Sequence, residues 1–205
     1  MVFSQTSPQI RTKTMSIAEQ LSKAYTYADY SQWPDGERWE LINGDLYAMT
    51  SSSRLHQDIV FELSAQIRNY LQGKPCKGYT APFDVRLPYK NEADALVETV
   101  VQPDLSVICD QSKLDKLGCR GAPDWIIEVL SPSTALRDMN TKRSLYQQHG
   151  VQEYWIVHPE ERWLMVYRLD DQGYYGQPGM FGMEQPVAVQ RFPDFSIEWS
   201  FMLEI

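Results

Sequence analysis

The chain reads as a mixed α/β (α+β) fold: one mixed sheet with helices packed against it. Three observations predict this. Leu55, Ile59, Leu63, Ile67 and Leu71 recur every four residues, the spacing of an amphipathic helix. Short apolar runs at 100–109, 125–130 and 154–157 have strand length and are rich in Val and Ile. The elements follow as helix, three strands, helix, strand and hairpin, which suits a sheet with helices against it.

Taken in order, residues 1–24 read as a flexible N-terminal arm, rich in Ser, Thr and Gln, with Met15 as an alternative start. They lack the apolar stretch of a secretory signal. Residues 25–205 read as a single domain, long enough to bury a core. Thr26 caps a short helix reaching Trp33, and Trp33-Pro34-Asp35-Gly36 makes a turn. Asn43-Gly44 between two apolar runs predicts an N-terminal β-hairpin with a two-residue turn. It places Trp39 and Leu41 on one face, and Glu40 and Ile42 on the other. Ser51 to Ser53 precede the long helix, and Gly73 and Pro75 end it.

Residues 81–89 read as a strand, with Phe83, Val85 and Leu87 alternating against Asp84 and Arg86. A polar loop over 90–98 leads to two strands, 100–109 and 125–130. Ser131-Pro132-Ser133-Thr134 opens a further helix, most regular over 142–149 and stopped by Gly150. Residues 154–157 form a buried strand. Residues 164–169 and 174–175 form a hairpin around Asp170-Asp171-Gln172-Gly173. A β extension from 187 to 205 is broken at Pro193-Asp194.

No apolar run approaches the roughly 20 residues of a membrane span, so no membrane partner is expected. Cys76, Cys109 and Cys119 are odd in number, far apart and free of any C-x-x-C pair. Neither a disulfide framework nor a zinc site is indicated, and a cytoplasmic setting is the simplest. The net charge of −8 lacks the basic footprint of most nucleic-acid binders. Local charge still counts: Lys113, Lys116, Arg120, Arg137, Lys142 and Arg143 cluster in sequence, although surface solvation is the commoner use of such residues.

Chemistry concentrates in Gln102-Pro103-Asp104, in Trp125-Ile126-Ile127-Glu128-Val129-Leu130 and in the stretch from Asp138 to Lys142. Glu128 lies inside a run that should be buried on both faces, and a buried carboxylate needs compensation. Side by side, the two strands would join Asp104 and Glu128 at one sheet edge, where a divalent cation is the natural counter-charge. Structural readings compete at each position. Pro-Asp often marks a strand entry, Glu128 suits an ion pair, and Lys142 suits an i, i+4 pair with Asp138. Asp84 suits a pair with Arg86, and His56 lies at the edge of the apolar helix stripe. There is no Gly-rich phosphate loop and no Cys/His nucleophile pair.

A longer succession of residues carries a resemblance. It includes 38–44 (RWELING), His56-Gln57, Ala81-Pro82-Phe83-Asp84-Val85, Gln102-Pro103-Asp104 and 121–134 (GAPDWIIEVLSPST). It continues through Arg137-Asp138, Lys142, Tyr146 and 150–157 (GVQEYWIV). From about Tyr25 onward the chain resembles the Uma-type putative restriction endonuclease family, a branch of the PD-(D/E)XK nuclease superfamily. The resemblance implies a restriction endonuclease-like core, a Mg²⁺-dependent (or Mn²⁺-dependent) endonuclease acting on DNA, and a homodimer.

By position, Asp104 matches the superfamily Asp and Glu128 its second acid. With the backbone carbonyl of Val129 they would hold the metal. The superfamily lysine normally follows two residues after the second acid, where this chain has Leu130; Lys142 matches the lysine moved to the next helix. Its implied role is to orient the attacking water or to offset transition-state charge. Glu40 matches a hairpin glutamate that completes the metal shell. His56 and Asp84 match accessory positions, and His158 departs from the family's usual aspartate. Two other classes remain open: an inactive nuclease-like module that binds nucleic acid or protein, and a hydrolase of small phosphoesters.

Overall fold

The computed structural model describes residues 24–34 and 38–203. A one-turn helix, Tyr27–Tyr30 (α1), leads to the hairpin of Trp39–Ile42 (β1) and Asp45–Ala48 (β2). Its turn is Asn43-Gly44, with φ of 51° and 82°, as the sequence predicts. A Cβ on Gly44 would also stand 2.8 Å from that of Ala24, so the position admits no side chain. The long helix Arg54–Leu71 (α2) starts at Ser53, whose hydroxyl accepts from the His56 backbone N–H. Short strands follow: Lys77–Thr80 (β3), Val85–Arg86 (β4), Val100–Val101 (β5), Leu105–Ile108 (β6), Leu114–Asp115 (β7), Gly118–Arg120 (β8) and Trp125–Val129 (β9). A π-helical segment, Arg137–Lys142, runs into helix Arg143–His149 (α3). Gly150 ends it with φ of 83°. The chain continues as Glu153–His158 (β10), Trp163–Arg168 (β11), Gly179–Gly182 (β12), Val187–Ala188 (β13) and Ser196–Ile197 (β14). The expected arm up to residue 23, and Asp35 and Gly36 of the expected turn, lie outside the described residues.

Two six-stranded sheets, not one, organise the described residues, and β13 and β14 pair as a separate two-stranded sheet. One has the order β2-β1-β5-β4-β8-β7 and the other β12-β11-β10-β9-β6-β3. The strand expected over 100–109 is divided between them, because Pro103 cannot donate to a ladder and holds Gln102 extended. Val100 pairs with Leu41 in the first sheet, whereas Leu105 pairs with Ile127 in the second. The strand expected over 81–89 shrinks to two residues for a related reason: Pro82 interrupts its start. Strands β3, β7 and β8 carry Gly, Lys and Asp in place of alternating apolar residues, and the sequence reading missed them. Of the expected 164–175 hairpin one bridge, Leu169 to Tyr175, remains; β11 pairs antiparallel with β10 over six residues and with β12 over four.

The central strand β9 explains where the core lies. Trp125, Ile127 and Val129 face α2, joining Ile59, Leu63, Ile67 and Leu71 in one apolar cluster. Each such aliphatic side chain contributes about 1.5–3 kcal/mol on burial. Ile126 and Leu130 face the other way, into a second cluster with Leu145 and Tyr146 of α3 and with Val85 and Val101 of the first sheet. Glu128 alternates onto that second face. Strands β9 and β10 run parallel, with the π-helical segment and α3 as their crossover. One cysteine expectation is overturned: Cys76 and Cys109 form a disulfide. Lys77 opposes Ile108 in the β3–β6 ladder, so the flanking cysteines are cross-strand neighbours. Unless β3 is recognised as a strand, nothing in their spacing pairs them.

Candidate active site

The break at Pro103 builds the site. Asp104 stands at the first turn of chain before β6, opposite Glu128 on the neighbouring β9. The Val129 N–H donates to Asp104 Oδ2 over 2.8 Å, and the Asp104 N–H points at Glu128 Oε2 over 3.4 Å. His56, in the first turn of α2, brings Nε2 to 3.1 Å from the same Asp104 Oδ2. Asp104 Oδ1 accepts no hydrogen bond among the described residues. Glu40 arrives from β1 of the other sheet, where its Oε1 accepts from the Gln102 N–H over 3.0 Å. Lys142, at the end of the π-helical segment, closes the cluster. Its ammonium lies 2.7 Å from Glu40 Oε1, 2.8 Å from Glu128 Oε1 and 3.6 Å from Asp138 Oδ1. Tyr146, one helical turn on, donates its hydroxyl to Glu128 Oε1 over 2.8 Å.

These groups enclose a cavity of about 60 Å³, also lined by Thr50, Ser51, Ser52, Ser131, Thr134 and Arg137. Four carboxylates line it (Glu40, Asp104, Glu128, Asp138), against two permanent cations, Lys142 and Arg137. That imbalance shapes the titration of the buried groups. Burial, opposed by Lys142 and reinforced by Asp138, Asp104 and Glu40, raises the Glu128 carboxyl to about 8. Burial raises Asp138 as well. Burial would lower Lys142, but Glu128, Glu40 and Asp138 outweigh it and hold the ammonium protonated. Burial would lower His56 too; the Asp104 hydrogen bond and charge reverse the direction and favour the imidazolium.

The donor set suits a divalent cation with hard oxygen preference. Negative charge is in excess, Asp138 Oδ1 is buried without a hydrogen-bond partner, and burial raises the Glu128 carboxyl, a shift that a nearby cation would counter. Among the described residues no three His, Cys, Asp or Glu side chains converge tightly enough to encage an ion by themselves.

Of the residues singled out by sequence, Asp104, Glu128, Val129, Lys142, Glu40 and His56 line this cavity. Asp84 does not. It accepts from Tyr30 Oη and Gln102 Nε2 over 3.0 and 2.8 Å, behind the site, and pairs with neither Arg86 nor the acids. Of the clustered basic residues only Arg137 and Lys142 reach the cavity. Lys113 donates to the Ala122 carbonyl, Arg120 pairs with Asp94, and Arg143 lies over the Tyr167 ring. Sequence reading missed Asp138 and Tyr146 as members of the cluster. With Lys142 they are spaced i, i+4, i+8 on one helical face, a pattern that is more often a solvent-facing stripe.

A family model, Uma2, described as putative restriction endonuclease, matches residues 27–200. An uncharacterized protein of Synechocystis sp. (strain PCC 6803) is 30% identical over 148 residues, 71% of this chain and 74% of that protein. A crystal structure from Anabaena variabilis, of a putative nuclease belonging to DUF820, matches with a TM-score of 0.69 at 19% identity. The match covers 87% of this chain and 97% of that one, and it shows a shared fold.

Proposed function

The chain belongs to the Uma2 putative restriction endonuclease family, and on that premise we propose that it is a Mg²⁺-dependent endonuclease hydrolysing DNA phosphodiester bonds. The observation that carries this reading is the meeting of Asp104 and Glu128 at adjacent strand ends with a lysine on Glu128. Asp104, Glu128 and the Val129 carbonyl would hold the ion, with Mn²⁺ as a substitute. Bound there, Mg²⁺ supplies Lewis-acid activation of water and offsets phosphate charge. His56 and the Val129 N–H fix Asp104 Oδ2, which leaves Oδ1 as its less committed oxygen. Lys142 and Tyr146 fix Glu128 Oε1, which leaves Oε2 as its less committed oxygen. Lys142, gripped by three carboxylates, acts as a positioning residue that keeps Glu128 and Glu40 in place.

Cavity size separates this reading from a small-phosphoester hydrolase. About 60 Å³ has room for an ion with a few waters and is far below the usual size of a nucleotide pocket. A substrate must therefore offer its phosphate from outside, as a polymer backbone crossing the mouth does. Retention of Asp104, Glu128 and Lys142 in one cluster also favours an active enzyme over an inactive binding module. The test is Mg²⁺ titration by calorimetry alongside plasmid cleavage, on the wild type and on Glu128→Ala. Binding and nicking in the wild type, both absent from the variant, are expected. A wild type that binds no Mg²⁺ well above cellular concentrations would reduce the acids to a structural cluster.

A further inference from the structure

The cluster leaves one task unassigned: contact with the substrate phosphate. Lys142 is not free for it. Its side chain is 5% exposed, and leaving its three carboxylates would strand them buried without a counter-charge. Arg137 is the other permanent cation lining the cavity, and its situation is different. Its side chain is 14% exposed, and the nearest anion, Glu40 Oε2, lies 3.6 Å from Nη1, beyond a hydrogen bond. Nη1 is buried and has no hydrogen-bond partner. Buried donors of that kind are rare, and an absent partner is one of the few explanations. The Tyr47 ring, 5.0 Å from the guanidinium carbon, supports the face of the group and leaves its edge for a ligand. Glu40 pairs with Arg137 only across that distance, because Lys142 and the Gln102 N–H hold its other oxygen.

A guanidinium edge matches two phosphate oxygens, whereas an ammonium offers a point charge. Hydroxyls of Ser131 and Thr134 line the same cavity and add neutral donors. We propose that Arg137 binds a non-bridging oxygen of the substrate phosphodiester at the cavity mouth, next to the two acids. The proposal rests on the nuclease reading and adds the residue that recognises the phosphate.

The experiment compares the wild type with Arg137→Met and Arg137→Lys. Inorganic phosphate binding in the presence of Mg²⁺ is followed by ³¹P NMR, Mg²⁺ affinity by calorimetry, and kcat and KM on a defined DNA duplex. Arg137→Met should weaken phosphate binding about tenfold or more and lower kcat/KM by on the order of 100-fold, the usual effect of losing one donor to a reacting oxyanion. Mg²⁺ affinity should stay within about twofold, because Arg137 is not a ligand. Arg137→Lys should recover part of both losses, as charge returns without the fork. The proposal is overturned if Arg137→Met binds phosphate and cuts DNA as the wild type does, or if the wild type binds no phosphate. Arg137-dependent phosphate binding in a protein that cuts no DNA would uphold the anion site and remove the nuclease reading instead.

Discussion

Glu128 is held between two demands. Its neighbours on β9 are all buried, so water cannot solvate its charge, yet the reading of the site needs that charge on the metal. Burial, against Lys142 and with Asp138, Asp104 and Glu40, moves its carboxyl from 4.5 to about 8. For an acid the sign is clear. Between those values the native state holds a proton that the unfolded chain has released, so metal-free stability falls as pH rises through this window. Mg²⁺ competes with the same proton. Its affinity should therefore rise between pH 6 and about 8, with close to one proton released per ion bound near neutrality. Calorimetry in buffers of different ionisation enthalpy counts that proton; zero release would mean that Glu128 is already ionised or is not a ligand. This residue was legible from sequence because an acid inside Ile-Ile-Glu-Val-Leu has no cheap structural explanation. Asp138 was not, because an aspartate four residues before a lysine on a helix usually means a solvent-facing pair. Here both partners are buried, at 2% and 4% exposure, which places the pair in the site.

At the scale of elements, what was legible followed periodicity, and what was not followed pairing. Helix α2 announced itself through five residues at i, i+4 spacing, and its cap and end fell where Ser53 and the Gly73–Pro75 stretch put them. Strand β9 did so through an apolar run interrupted only by Glu128. The two-sheet arrangement was hidden, because Pro103 separates β5 from β6 without any change in their apolar character. The edge strand β3, Lys-Gly-Tyr-Thr, is stabilised by its ladder to β6 and by packing on α2, neither of which is a local signal. The Cys76–Cys109 disulfide follows from that ladder and closes a loop with a sequence separation of 33. By loop-closure entropy such a bridge adds about 3–4 kcal/mol. Cys109→Ser, or reductant on the wild type, should lower the urea midpoint and steepen the slope, because the unfolded chain loses its cross-link and exposes more surface. An unmoved midpoint under reductant would show that the two thiols are not joined in solution.

For the whole molecule, the site is also a joint. Glu40 belongs to the first sheet, Asp104 to the chain crossing between sheets, Glu128 to the second sheet, and Asp138 and Lys142 to the helical crossover. Lys142 ties Glu40 to Glu128, so the charge cluster bridges the two sheets directly. An ion on Asp104 and Glu128 would add a link available only when both strands are in place, so its binding energy becomes folding energy. At a Mg²⁺ concentration 100-fold above its dissociation constant the gain is about 2.7 kcal/mol. For a chain of this length that corresponds to a rise in Tm of roughly 5–11 °C. Glu128→Gln keeps the shape and can keep the Tyr146 and Lys142 contacts while removing the charge. It should fold, melt at a temperature independent of Mg²⁺, and cut no DNA. Equal stabilisation of wild type and variant by Mg²⁺ would place the ion elsewhere on the molecule. Stabilisation confined to the wild type would tie the metal, the fold and the two acid-bearing strands to the same joint.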